Sequence, residues 1–394
     1  MTWDTDGASL ARMARVQKVL IVGAGIGGLG AGAALAQRGV EVEIVEINPE
    51  PTVYGVGINQ PANSLRALRA IGVLDEVCAA GFQFDAWRFH DHRGNLVVNV
   101  PSRLGGEGIP ANSALSRREL HHILIGAAEG AGVTIRYATT TTEIADNGHA
   151  HALLSDGRED DYDLLIAFDG INSPLRRRTF GPSHDPVYSG FAVWRVTVPR
   201  PPELDYGALY QAVGAKAGHI PLSEDSMYLL LVTPEPPHVR YDKSRFVEML
   251  RERLEPFEGV VGEIRDALPD DADVVYSPLS EVFLPAPWFQ GRLLVCGDAA
   301  HACCPHTTQG AAMALEDGVV LAEELMIDRP LDETLRAFSE RRYPRAKFVQ
   351  DVSRGILNAE MHITAENIDQ AFAHMREELP GQFAGVDEFL NQPA

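Results

Sequence analysis

Residues 18–46 read KVLIVGAGIGGLGAGAALAQRGVEVEIVE. The run KVLIV has the unbroken apolar character of a strand buried on both faces. GLGAGAALAQRG, rich in alanine and leucine and closed by Gly39, predicts a helix with a glycine stop. VEVEIVE, 40–46, is a second strand, and strand, helix and strand within about 30 residues make a βαβ unit. Gly23, Gly25 and Gly28 occupy the turn after the first strand. Gly23 permits a tight turn, Gly25 lets a diphosphate approach the backbone, and Gly28 lets helix and strand pack closely. The helix start would meet the diphosphate with free N–H groups and a partial positive charge. Glu46 ends the second strand, where its carboxylate can accept hydrogen bonds from an adenosine ribose. The stretch predicts an α/β protein that binds a dinucleotide.

The chain around it has 394 residues, 45% hydrophobic and 23% charged, which is ordinary globular composition and length enough for two domains or one domain with an insert. A formal net charge of −21 disfavours nucleic acid and anionic membranes as partners. No apolar run reaches the roughly 18 residues of a membrane span. The opening MTWDTDGASLARMARVQ lacks the apolar core of a secretory signal and reads as a loose leader. Four cysteines (Cys78, Cys296, Cys303, Cys304) are too few for a disulfide scaffold, which points to a reduced, cytoplasmic setting.

Further along, residues 60–71 have amphipathic helical spacing, and 84–100 read as two strands around the turn HRGN. Residues 115–132 predict a helix with Ser116 as N-cap and Glu119 three residues on, a capping-box spacing. Residues 186–290 change texture, with strand-like pieces split by Pro and Gly around one helical insert, SRFVEMLRERLEPF. This predicts an antiparallel sheet. From 292 the βα texture returns, with RLLVCGD as a buried strand and 310–327 as a helix. The tail is helical, with a break expected near Pro344.

Two more strands end in a small residue and an acid. DLLIAFDGINSPLRRR, 163–178, ends its strand at Asp169-Gly170, and GRLLVCGDAAH, 291–301, at Gly297-Asp298. Strand carboxyl ends are where open α/β sheets bind ligands. An acid beside a small residue there suits the hydroxyls of an extended polyol. His301, Cys303, Cys304 and His306 could in principle ligate a metal, but adjacent cysteines rarely share a tetrahedral site and no C-x-x-C pair exists. We read no metal site, and the two cysteines as small apolar filler.

The glycine fingerprint, the D-G-x-x-S-x-x-R stretch near 170 and the G-D-A-A-H stretch near 300 resemble the three signatures of single-component FAD-dependent aromatic hydroxylases, the family of p-hydroxybenzoate and salicylate hydroxylases. The resemblance covers most of residues 17–350. It implies a Rossmann-like FAD-binding domain (GR2-type), an inserted antiparallel β-sheet substrate domain and a helical C-terminal tail. The division it suggests is 1–83, 101–185 and 290–355 for FAD, 84–100 and 186–289 for substrate, and 356–394 for the tail. By resemblance, Gly23, Gly25 and Gly28 hold the FAD diphosphate and Glu46 the adenosine ribose. Arg117 reaches the ribityl-diphosphate side, Asp169 belongs to a stretch serving FAD and nicotinamide, and Asp298 binds the ribityl chain. Pro305 lies against the flavin ring, and Gly310 and Ala311 approach its pyrimidine edge through backbone N–H groups. Three features depart from the family: Ala167-Phe168 replaces Gly-Ala, Thr308 stands where glycine is commoner, and no second glycine fingerprint serves NAD(P)H.

The resemblance also implies the reaction. NADH or NADPH, bound transiently, reduces FAD; O2 adds at the flavin C4a, and the hydroperoxide hydroxylates a small aromatic or heteroaromatic substrate. An alternative is a tailoring epoxidase of the same fold acting on a polyketide or other non-phenolic ligand. Attack on a ring calls for a group that takes or holds a phenolic proton. His219, with a neutral-range pKa, is the first candidate, followed by Tyr210 and by Arg195, which would need an anion if it points inward. Tyr228 reads as core. The long tail is a candidate homodimer contact.

Overall fold

The βαβ unit forms where the pattern places it. In the computed structural model, which describes residues 16–52, 55–102, 105–237 and 239–394, the strand Lys18–Val22 lies within a six-stranded sheet. Residues 1–15 of the leader lie outside the described residues. The strand order is Phe289–Gln290, Leu293–Val295, Leu164–Ala167, Lys18–Val22, Glu41–Val45, Thr134–Arg136. All pairs are parallel except the hairpin at the first edge. Layers on both faces bury Val19–Ile21, Leu164–Ala167 and Leu293–Val295, which is why these strands read as continuous apolar runs. Val22 pairs with Ala167 and Ala167 with Val295. The three glycine-acid turns therefore leave the sheet side by side.

Small residues set the spacing of the first helix, Ile26–Ala36. A Cβ on Gly28 would sit 2.0 Å from the Gly23 carbonyl oxygen, so only glycine allows the turn and helix to meet so closely. On its other side the helix packs against Gly310–Glu324, where a Cβ on Gly318 would sit 2.6 Å from the Ala31 Cα.

The second sheet has seven strands, in the order Val275–Glu281, Val187–Pro199, Ser226–Pro234, Ala215–Pro221, Gly207–Ala212, Ala86–Asp91, Leu96–Pro101. The two early strands thus join the sheet of the chain's middle, and their link, Gly207–Ala212 with Ala86–Asp91, is its one parallel pair. Two helices cover the outer face, Phe246–Leu254 and Gly259–Ala267, where one was expected. Pro256 and Gly259 divide that segment. Trp194, Tyr210, Leu229 and Leu231 pack there against Leu250, Leu254 and Phe257.

The expected break at Pro344 does not occur, since one helix runs Leu331–Met361. Pro344 removes one backbone donor, but Arg342 and Arg345 on either side are locked into buried ion pairs on the neighbouring helix, which holds the axis across the gap. The last helix, Ile368–Asn391, lies over the Leu96–Pro101 strand, with Phe383 edge-on to Phe89 at 5.6 Å and Phe389 against Phe348 at 4.2 Å.

Gly28→Val should lower the thermal midpoint. Overpacking of this kind costs about 1–3 kcal/mol, and an unchanged midpoint by circular dichroism would contradict the close approach.

Candidate active site

Each of the three turns is pinned by its own local bonds. Glu46 accepts the Ala24 N–H at 2.9 Å and the Asn48 N–H at 3.0 Å, which sets its carboxylate beside the glycine turn. His121, a residue the sequence reading passed over, meets the Ala24 carbonyl oxygen at 2.7 Å. It lies on the helix Arg117–Gly130, capped as expected by Ser116 accepting the Glu119 N–H at 3.1 Å. In the second turn Ser173 caps the helix Pro174–Phe180 by accepting the Arg176 N–H at 2.8 Å. The buried Arg176 guanidinium then donates to the Ala299 carbonyl at 3.1 Å, joining second turn to third.

The third turn is held from below. Asp317 accepts the Gly297 N–H at 2.9 Å and contacts His301 Nε2 at 2.7 Å through one oxygen, and accepts Arg342 Nε at 2.8 Å through the other. Glu316 beside it takes Arg342 Nη1 at 2.8 Å, Arg345 Nε at 2.7 Å and Asn63 Nδ2 at 3.0 Å. All these groups are buried. Burial pushes the two carboxyls up, but His301 and Arg342 hold Asp317, and Arg342 and Arg345 hold Glu316, below the usual carboxylate range. His301 is therefore a structural partner of Asp317.

Above the turns lies one cavity of about 1220 Å³. Gly25, Arg117, Asp298, Pro305, Gly310 and Ala311 line its sheet end, while Gly23, Gly28, Glu46 and Asp169 are not among its lining residues. Among the described residues no group of three or more His, Cys, Asp or Glu side chains is placed to hold a metal, and no helix is long and apolar enough to cross a membrane.

The opposite wall is the inner face of the seven-stranded sheet. Strand alternation decides which side chains reach it. Arg195, Val193, Tyr228, Leu230 and Lys216 are on that face and line the cavity. Among the described residues Arg195 has no ion pair or hydrogen bond; burial and the Arg117 charge push its guanidinium down to about 10. Tyr228, read as core, lines the cavity; burial pushes its hydroxyl up to about 12 against the opposing charges of Arg195 and Arg117. His219 falls on the other face. It is fully buried, does not line the cavity, and meets the Tyr210 hydroxyl at 3.2 Å. Burial, with the His90 and Arg88 charges, pushes its imidazole down to about 3. Tyr210 borders the cavity, yet its ring belongs to the outer core and stacks on His90 at 4.7 Å. Of the three catalytic candidates, the structure brings Arg195 alone to the inner face.

Residues 16–353 match the family described as FAD binding domain. A 2-heptyl-3-hydroxy-4(1H)-quinolone synthase of Pseudomonas aeruginosa (strain UCBPP-PA14) is 34% identical over 342 residues, covering 85% of this chain and 87% of its own. The 6-hydroxynicotinate 3-monooxygenase of Pseudomonas fluorescens is 30% identical over 328 residues, covering 79% and 83%. This chain belongs to the FAD-dependent aromatic hydroxylases. Among solved structures, Klebsiella pneumoniae HpxO complexed with FAD and uric acid shares the hydroxylase fold, with a TM-score of 0.84 at 22% identity over 95% of this chain and 96% of that one.

FAD is the hydroxylase's cofactor, and the residues present fit it. Buried polar groups normally have partners, but Arg117 Nε, Asp169 Oδ1 and Asn59 Oδ1 have none among the described residues. Arg117 and Asn59 line the cavity and Asp169 lies between the lining residues Phe168 and Gly170, which suits a ligand rich in hydroxyls and phosphates. Nothing lies within 4 Å of a Cβ built on Gly25, which leaves its backbone open to the cavity.

The departures from the family pattern have local causes. Phe168 fills the gap between the first and third turns: a Cβ on Gly27 would lie 2.7 Å from its ring. Thr308 adopts φ 55°, ψ 23°, the left-handed region that favours glycine. Cys304 is buried, and burial pushes both the Cys303 and Cys304 thiols up to about 12, so they stay protonated.

Because the Glu316 and Asp317 carboxyls sit below their unfolded values, their contribution to stability is complete above about pH 4.5 and is lost as pH falls through the folded values. Acid unfolding followed by near-ultraviolet circular dichroism should begin below that pH. Arg342→Met should cost about 3–5 kcal/mol and move the acid transition to higher pH.

Proposed function

We propose that this hydroxylase uses NADH or NADPH and O2 to place one oxygen atom on an electron-rich aromatic or heteroaromatic ring. One observation carries the reading: a single cavity runs from the three glycine-acid turns to the inner face of the second sheet. Bound FAD supplies the redox chemistry, accepting two electrons from the nicotinamide and activating O2. The protein supplies binding, orientation and charge.

Gly23, Gly25 and Gly28 with the start of the first helix would take the diphosphate, and Glu46 the adenosine ribose. Arg117 and Asp169 would complete their unmet hydrogen bonds on the ribityl-diphosphate side, and Asp298 would meet the ribityl hydroxyls. Pro305 would support the ring, and the N–H groups of Gly310 and Ala311, at a helix start, would favour negative charge on it. We assign 1–83, 101–185 and 290–355 to the FAD-binding unit, 84–100 with 186–289 to the substrate-binding sheet, and 356–394 to the tail.

Substrate would lie between the flavin end and the inner face of the sheet. Of the relatives named above, one is a synthase of a hydroxyquinolone and one a monooxygenase of a hydroxynicotinate, and rings of that kind combine an oxygen substituent with an apolar body. Arg195, charged and without an anion, is the group we assign to an acidic or oxo substituent. Tyr228 beside it offers a hydroxyl that burial keeps protonated. His219 and Tyr210, in the outer core, hold that face of the sheet together.

The reading is tested by incubating the yellow holoenzyme with 3-hydroxybenzoate, 6-hydroxynicotinate and 4(1H)-quinolone under 18O2. Accelerated NADH or NADPH oxidation and one labelled oxygen in the product are expected from at least one compound. Absence of both with all three, on FAD-loaded protein, would refute it. Arg195→Gln should raise KM for an anionic substrate by about 10- to 100-fold, the worth of a charged hydrogen bond, with FAD content unchanged.

A further inference from the structure

One row of the second sheet's inner face is explained neither by the FAD-binding roles nor by Arg195 alone. Arg195 is in register with Leu230, Leu230 with Gly218, Gly218 with Leu209, and Leu209 with Phe89. Residues opposite one another on paired strands share a face, so the five make a single row across five strands. At about 4.8 Å per strand spacing the row is about 19 Å long. Its first member is a cation and the rest are apolar. Gly218 keeps the row level, because Leu209 closes over it: a Cβ there would lie 2.8 Å from Leu209 Cδ2. Leu230, Leu209 and Phe89 are only partly buried, and all three line the cavity.

Lys216 and Gln211, on the row to one side, are spent on other partners. Lys216 Nζ pairs with the Glu360 carboxylate at 2.7 Å, and Gln211 Nε2 donates to the Ala212 and Ala215 carbonyls at 2.7 and 3.2 Å. On the other side Tyr228, Ile220 and Trp87 line the cavity. The helix Ile368–Asn391 roofs the far end of the row. Its Met375, Leu379 and Phe383 recur every four residues, so they share one helix face, and all three line the cavity. Phe383 stands edge-on to Phe89 at 5.6 Å. These roof residues lie beyond the part of the chain that matches the family.

Apolar surface facing a cavity favours an apolar occupant. The strip is much longer than one ring, and it begins where Arg195 would hold a ring's oxygen substituent. We propose that the substrate ring carries an unbranched aliphatic chain, with the ring's oxygen at Arg195, the chain laid over Leu230 and Leu209, and its end stopped by the Phe89–Phe383 pair. The inference rests on the aromatic-hydroxylase reading above and names the substrate class within it. A chain suits the strip better than a flat fused ring system, since the strip is one side chain wide between the Lys216–Glu360 pair and the Tyr228 and Trp87 rings. Met375, unbranched and flexible, lets the roof follow the chain. Leu209 and Phe383 are thus specificity-determining residues that meet the chain and stand away from the reacting ring.

The test is a chain-length series on FAD-loaded protein. The probes are 4(1H)-quinolone and 3-hydroxybenzoate, each bare and with a methyl, hexyl or dodecyl chain at C2 of the quinolone or C5 of the benzoate. Dissociation constants are read from the flavin absorbance change, and kcat/KM from NADH or NADPH oxidation. On at least one ring, affinity should rise about two- to fourfold for each methylene from methyl to hexyl and level off by dodecyl. 9(10H)-Acridone, which extends the quinolone by a flat fused ring, should gain less than the hexyl compound. Leu209→Trp fills the strip and should bring the hexyl-to-methyl affinity ratio close to one. Phe383→Ala removes the stop and should make dodecyl bind tighter than hexyl. The proposal is overturned if hexyl binds no tighter than methyl on either ring, if acridone gains as much as hexyl, or if both variants keep the wild-type ratios. Should one variant not fold, the other and the wild-type series decide the matter. A holoenzyme that binds and hydroxylates neither ring, bare or alkylated, overturns the reading beneath the proposal.

Discussion

The buried carboxylates of Glu316 and Asp317 hold this molecule in register. They lie on a helix that packs against the first helix of the dinucleotide turn, and they draw in Arg342 and Arg345 from the long C-terminal helix. Asp317 also reaches the Gly297 N–H and His301. One cluster thus ties the third glycine-acid turn to the two helices that frame the cavity. Charges so deeply buried are stable only when each has its partners. The cluster therefore fixes relative position more tightly than apolar packing alone would, because any slip leaves a charge unpaired.

The sheet end of the cavity follows from sheet topology. Three parallel strands adjacent in the sheet end at one level, so three segments far apart in sequence present their turns to one space. Close backbone approaches at Gly23 and Gly28 bring the first turn against the second and against its own helix. The opposite end is governed by the other sheet, whose two faces do different work. The outer face is sealed by two short helices over an aromatic and aliphatic core. The inner face carries Arg195, Lys216 and Tyr228 toward the cavity among Val193 and Leu230.

The long helix connects both ends. It meets the carboxylate cluster through Arg342 and Arg345, passes Pro344 between them without breaking, and delivers Glu360 to Lys216 and His306. The final helix then lies over the strand Leu96–Pro101 and is tied back at its end, where Arg345 donates to the Leu390 carbonyl at 2.8 Å. The segment beyond the family match is thus part of the cavity wall.

The sequence alone determined the dinucleotide-binding fold, because its signals are local. An apolar strand, a glycine turn and a helix or acid within a few residues state their own geometry, so the turns at Gly23, Asp169-Gly170 and Gly297-Asp298 could be placed at strand ends from that. The cap at Ser116 was legible for the same reason. Tertiary structure decided the rest. A shift of one residue moves a side chain to the other face of a sheet, and no pattern in AGHIPL says which face looks at the cavity; so His219 went to the outer core and Lys216, three residues earlier, to the cavity. Pro344 reads as a helix breaker until the ion pairs on either side are known. His306, Lys216 and Glu360 carry no shared motif, and only the packing of loop, strand and helix brings their charges within reach of one another.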